Sequence, residues 1–136
     1  MRNDDLARDY VRRAAVRLTT LEVLAAAESW ADVVRESQEL VELALKGLLR
    51  SVGVHPPRIH DVSDVLLAER ARLPAELADE VEALADISRQ LRRDRELAFY
   101  GAEDLTPTAF YSADDAARAA EQSRRVVELV RPHVLR

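Results

Sequence analysis

Three arginines in four positions, Arg92, Arg93 and Arg95, stand just ahead of Tyr100 and Gly101 in the stretch LRRDRELAFYG. This is where the residue types are best suited to act on a phosphate. A guanidinium presents five N–H donors in a fixed fork and keeps its charge at any ordinary pH, so it can grip a phosphate oxygen. A tyrosine hydroxyl adds a further hydrogen-bond donor. The stretch admits three readings: it cuts RNA, it holds a nucleotide, or it ends a helix whose basic last turns complement the macrodipole.

Helical spacing sharpens the question at Arg95. At 100° per residue Leu77, Leu84, Leu91, Arg95 and Ala98 share one narrow sector, which sets an always-charged side chain on an apolar stripe. A guanidinium there needs a carboxylate, backbone carbonyls, water or a bound phosphate, because desolvating it unpaired is costly. An internal ion pair or a side chain snorkelling from the helix end would serve structure alone. Arg89, Arg92 and Arg93 point elsewhere, either to a solvated face or to a phosphate. Tyr100 is either a packed ring with a satisfied hydroxyl or a working group.

Other constellations are weaker. Asp61 suits a helix N-cap, with His60 packed beside it. His55 and His133 lack the helical spacing and acidic companions of metal ligands, and there is no cysteine. Neither a metal nor a cofactor is assigned. Glycine-rich phosphate loops, nucleophile elbows and glycosidase carboxylate pairs are absent from the sequence.

The elements that must position these residues are helical. The 136 residues are 48% hydrophobic but only 4% aromatic, with three glycines, a palette that favours helices and suffices for one domain over residues 1–136. An all-α, up-and-down bundle of about five helices is expected. The net charge of −5 argues against a protein that coats polyanions, so any phosphate site must be local. The N-terminus lacks the apolar core of a signal peptide and no run reaches the roughly 18 apolar residues of a membrane span. A cytoplasmic location is expected.

Apolar residues recur at three- and four-residue steps from Asp4 to about Ala27, and a break near AESW leads to a second, wider stripe that Gly53 should close. That stripe puts Leu45 in the bundle centre and Glu42 on the polar side. VHPPRIHD cannot be helical. Asp61 or Ser63 should cap a short helix, VSDVLLAERAR, that ends before Pro74, and Pro74 should sit in the first turn of the helix bearing Arg95. Ser112 and Asp115 have the form of a capping box, opening a last helix that should stop at Pro132.

Residues 36–66, ESQELVELALKGLLRSVGVHPPRIHDVSDVL, followed by RELAFYG and then P…Y…DA…A, resemble the HEPN family, the higher eukaryotes and prokaryotes nucleotide-binding domain. The resemblance spans roughly residues 4–131. It implies a helical bundle that dimerises, in a family of metal-independent ribonucleases and of companions to minimal nucleotidyltransferases, several in toxin–antitoxin pairs. It also draws Lys46, within ELALKGLL, and His60 into a phosphate- or nucleotide-binding set with Arg92, Arg93 and Arg95. Ribonuclease members carry an arginine, four to six residues, then histidine. Here Arg95 or Arg93 stands at those spacings from Tyr100.

The exchange matters because histidine titrates near pH 6.5 and tyrosine near 10, so tyrosine is a base only about a thousandth of the time at neutral pH. The expected function is therefore a nucleotide- or RNA-binding homodimer acting with a separate minimal nucleotidyltransferase, in the setting of a toxin–antitoxin pair. A rival is an active ribonuclease in which Arg95 and Tyr100 are catalytic. A third reading is a purely structural interaction protein.

Overall fold

The structure, a computed structural model, describes residues 2–56, 58, 61–102 and 105–135, with the side chains of residues 2, 3 and 94–99 outside the description. Among the described residues six α-helices follow in order: α1 Arg2–Ala26, α2 Trp30–Ser51, α3 Ser63–Ala68, α4 Val81–Tyr100, α5 Pro107–Phe110 and α6 Ala113–Val134. No strand forms among the described residues. The all-α bundle expected from the sequence is what the chain adopts, with a four-residue α5 added to the five anticipated helices.

The periodicities explain the long elements. In α1, Ala7, Val11, Ala14 and Leu21 are buried, a three- and four-residue rhythm that lines one face. A three-residue turn, with Glu28 at φ 58°, reverses the chain into α2. Helix α2 is the centre of the bundle, packing against α1, α4 and α6. Its residues Leu40, Val41, Ala44, Leu45, Leu48 and Leu49 are at most 1% exposed. Two bonds close it, from Gly53 N–H to the Arg50 carbonyl at 3.0 Å and from Val54 N–H to the Leu49 carbonyl at 2.9 Å. This is the pairing of a Schellman cap, with Val54 and Leu49 both in the core.

Being surrounded, α2 buries polar residues as well. Glu36, Ser37 and Gln38 are all under cover. Burial pushes the Glu36 carboxyl above its ordinary range, although the Arg17 guanidinium of α1 stands 3.3 Å away and opposes the shift. Glu42 also belongs to this sheltered flank. It pairs with Lys46 at 3.0 Å, with side-chain exposures of 19% and 15%, so the expectation of an open polar face at Glu42 is corrected.

Three boundaries differ from the sequence reading. The third helix is α-helical only through Ala68, with Arg70–Arg72 in a separate 3-10 turn. Pro74 precedes a 3-10 segment, Ala75–Glu80, and the α-helix proper begins at Val81. The last helix continues past Pro132 to Val134. A proline removes one donor without unwinding the final turn, and burial of Val134 and the bond from Leu135 N–H to the Arg131 carbonyl, 2.8 Å, hold that turn in place. The capping box at Ser112 and Asp115 is present as the sequence suggested.

Helix α6 lies along α2 in the same direction. Val34 and Ala119 line one crevice, while Ser51 and Val134 line another at the far end. Helix α4 brings Leu91 level with Val34 and sends its C-terminal end, through α5, toward the start of α2. Among the described residues, no helix is long and apolar enough to cross a membrane.

Candidate functional site

The site begins with what fixes the rotation of α4. Val81, Leu84, Ala85, Ile87, Ser88 and Leu91 are buried, so the helix edge that carries them is locked to the core. Ser88 is the polar member of that edge and it has a specific task. Its hydroxyl donates to Asp61 Oδ1 at 3.1 Å and accepts from the Val62 N–H at 3.2 Å. The same carboxylate oxygen accepts the Ser63 N–H at 2.9 Å, one of the orphan donors at the start of α3.

Asp61 therefore joins three elements: the proline-bearing segment, the start of α3 and the middle of α4. Partial burial works to raise its pKa. Hydrogen bonds from Ser63 and Ser88, with the positive field of Arg89, outweigh that and hold the carboxyl below the usual aspartate range. The expectation that Asp61 or Ser63 caps α3 is met in substance. The aspartate acts from one position before the cap residue, which is Val62.

The arginines after Ser88 are displayed by this rotation. Arg89 is spoken for, pairing with Asp86 at 3.1 Å on the exposed face. Arg92 is half-buried and Arg93 exposed, and no ion pair joins either to a described residue. The helical backbone runs unbroken through residue 95 to Tyr100, so Arg95 follows Leu91 by four positions on the edge that the core grips. The Arg95 side chain lies outside the described residues, as does His60.

Tyr100 ends α4 with its side chain well exposed, at 72%. The ring is therefore not enclosed by the core. Gly101 follows at φ 79°, in the left-handed region. A Cβ there would sit 2.6 Å from the Leu105 carbonyl oxygen and 2.8 Å from Pro107 Cδ, so only glycine fits both the dihedral and the space. Reciprocal bonds between Ala102 and Leu105, 2.9 and 3.0 Å, complete the reversal into α5.

Lys46 stands apart from this group. It is twelve residues along α2 from Val34, the residue level with Leu91, which is roughly 18 Å of helix axis. Its ammonium faces Glu42. The structure thus gathers Arg92, Arg93 and Tyr100 on the last turns of α4 and places Lys46 nearer the other end of the bundle. Among the described residues, no group of three His, Asp or Glu side chains has the geometry to hold a metal ion.

Sequence reasoning does not find the role of Ser88. A serine between leucines on a core edge is a signal that a polar partner must arrive from elsewhere. The partner, 27 positions upstream, has no local signature.

What the arrangement can do follows from charge. Arg92 and Arg93 bring guanidinium groups to the later turns of α4, on a chain that is acidic overall. That suits a local phosphate contact and not an extended polyanion track. No curated protein and no solved structure matches the chain. The model of the HEPN domain matches residues 7–133, a span that reaches into every helix from α1 to α6. With that span and this helical architecture, the chain belongs to the HEPN domain family and is, at that level, a nucleotide- and RNA-related module.

Proposed function

We propose that this chain is a nucleotide- or RNA-binding HEPN module without ribonuclease activity, working as a homodimer beside a separate minimal nucleotidyltransferase in a toxin–antitoxin pair. The observation that carries the reading is position 100. Where ribonuclease relatives place histidine after the arginine, this chain exposes a tyrosine. Its hydroxyl can donate a hydrogen bond to a phosphate, but at neutral pH it is a poor proton acceptor. Binding chemistry is retained and the general base is not.

The experiment compares wild type, Arg95→Ala and Tyr100→His on labelled single-stranded RNA and on AMP, with chelator present. Wild type binds without cleaving. Arg95→Ala weakens binding by about 10- to 100-fold, the loss of one or two charge-assisted hydrogen bonds. Tyr100→His gains metal-independent hydrolysis. Circular dichroism of each variant guards against simple unfolding. Cleavage by wild type that Tyr100→Phe abolishes would establish the ribonuclease instead. Binding of neither RNA nor AMP would leave a structural protein.

A further inference from the structure

Where α4, α5 and α6 converge there is a crevice of about 220 Å³ beside the arginine-bearing turns. Its floor is apolar, with Val34, Leu91 and Ala119 contributed by α2, α4 and α6, and all three are buried. Phe110 lies at its edge and keeps 47% of its surface exposed. The ring is steadied by an edge-to-face contact with Tyr111, centroids 4.9 Å apart and planes at 85°. Two carboxamides, Gln90 from α4 and Gln122 from α6, face the crevice from different helices. No hydrogen bond within the described residues engages either amide.

We infer that this crevice is a nucleobase subsite. An exposed aromatic ring over an apolar floor is a stacking platform, and each carboxamide carries one acceptor and two donors, the complement that reads a base edge. Glutamine matches adenine in particular, donating to N7 and accepting from N6. Size selects the ligand fragment. The crevice is below the roughly 300 Å³ of pockets that enclose a whole drug-sized molecule, so it takes a single base and leaves sugar and phosphate outside.

Charge selects the direction in which the phosphate leaves. Asp115 lines the α6 wall, its carboxyl held low chiefly by the Ser112 N–H, so it is anionic at neutral pH and repels a phosphate on that side. Arg118 beside it already faces Asp115 at 3.6 Å. On the α4 side Gln90 is followed one helical turn later by Arg93, which is exposed. The base enters between Phe110 and the two glutamines, and its phosphate lies toward Arg93. This inference rests on the binding function proposed above and adds the element that recognises the base.

The test uses the full chain and anisotropy of a labelled short oligoadenylate RNA, with an abasic strand of equal length for comparison and AMP and ribose 5-phosphate as competitors. Wild type prefers oligoadenylate to the abasic strand by at least about fivefold, the lower end of what one stacked base contributes. Phe110→Ala and Gln122→Leu remove that preference and leave abasic binding unchanged, Phe110→Tyr keeps it, and Arg93→Ala weakens both strands equally. AMP that competes where ribose 5-phosphate does not assigns the subsite to free nucleotides as well as strands, and competition by oligoadenylate alone assigns it to strands. Equal binding of base-bearing and abasic strands by wild type, or a preference that survives Phe110→Ala, overturns the subsite while the binding function stands. Failure of every nucleic-acid ligand to bind removes both.

Discussion

Gly47 lies where α2 packs closely against α1, and replacing it with alanine sets two opposing effects against each other. In an exposed helix interior Gly→Ala stabilises by about 1 kcal/mol, because alanine loses less backbone freedom on folding. Here the added Cβ would stand 2.7 Å from Val11 Cγ2, 3.0 Å from the Ala7 carbonyl oxygen and 3.3 Å from Tyr10 Cβ. The first contact is closer than real methyl groups tolerate. Val11 cannot simply turn away, since a β-branched side chain in a helix has one strongly preferred rotamer. Ala7 offers no escape either, because the atom in contact is backbone. Relief requires α1 to shift outward along the whole seam with α2.

Overpacking of this kind costs about 1 to 3 kcal/mol. A contact as close as 2.7 Å belongs in the upper half of that range, about 2 to 3 kcal/mol, so after subtracting the propensity gain Gly47→Ala should destabilise by roughly 1 to 2 kcal/mol, lowering Tm by about 3 to 8 °C for a domain of this size. Urea unfolding measures it, with an unchanged m-value showing that the denatured state is unaltered. The cause is tested by adding Val11→Ala. If the clash is with Val11, the double variant should be more stable than the sum of the singles by about 1 kcal/mol. A Gly47→Ala protein at or above wild-type stability would refute the reasoning, because it would mean the seam can open without cost.

Leu45, fully buried in the middle of α2, should lose about 2 to 5 kcal/mol on change to alanine, and a loss below about 1 kcal/mol in urea unfolding would contradict its place in the core. Glu42→Ala, one turn away, should cost about 1 to 2 kcal/mol and not be silent, since it strips a sheltered Lys46 ammonium of its carboxylate; restoration by Lys46→Met in the same background checks this. Asp61 should contribute pH-dependent stability. Its carboxyl is held below the ordinary value of about 3.9, so the contribution is complete above that pH and fades as pH falls through the lowered folded value. The gap in stability between wild type and Asp61→Asn should therefore narrow below about pH 4, and a gap constant from neutral to acid pH would show that the carboxylate charge plays no part.

The parts of this fold legible in the sequence are those where a local rule acts alone. The stripes of α1, α2 and α6 have the helical period, and the Ser112 box and the Gly53 cap are each determined within a few residues. The start of α4 is not legible locally, because Pro74 suits either an α or a 3-10 first turn, and six residues of the latter intervene. By local chemistry alone Pro132 is a helix stop. Burial of Val134, a tertiary effect, overrides it. Periodicity sets Glu42 on the polar side because it tells which residues share a face but not how many neighbours cover the helix, and α2 is packed by α1, α4, α5 and α6.

The candidate site divides along the same line. That Arg92, Arg93, Arg95 and Tyr100 crowd one helix end is written in their spacing. Which of them a ligand meets depends on the rotation of α4 about its axis, and that is set by Leu84, Ser88 and Leu91 against the core and by the Asp61 carboxylate on Ser88. At the other end Gly101 turns the chain so tightly that a methyl group would meet the Leu105 carbonyl. The segment from Arg92 to Tyr100 is thus bounded by a pinned turn and a forced reversal. Because successive residues are 100° apart, a rotation that exchanged Arg93 for Arg92 at the surface would carry Ser88 off Asp61 and Leu91 out of the core. The display of one arginine and the partial burial of its neighbour are consequences of packing two turns away, which is why the arginines could be found in the sequence while their arrangement could not.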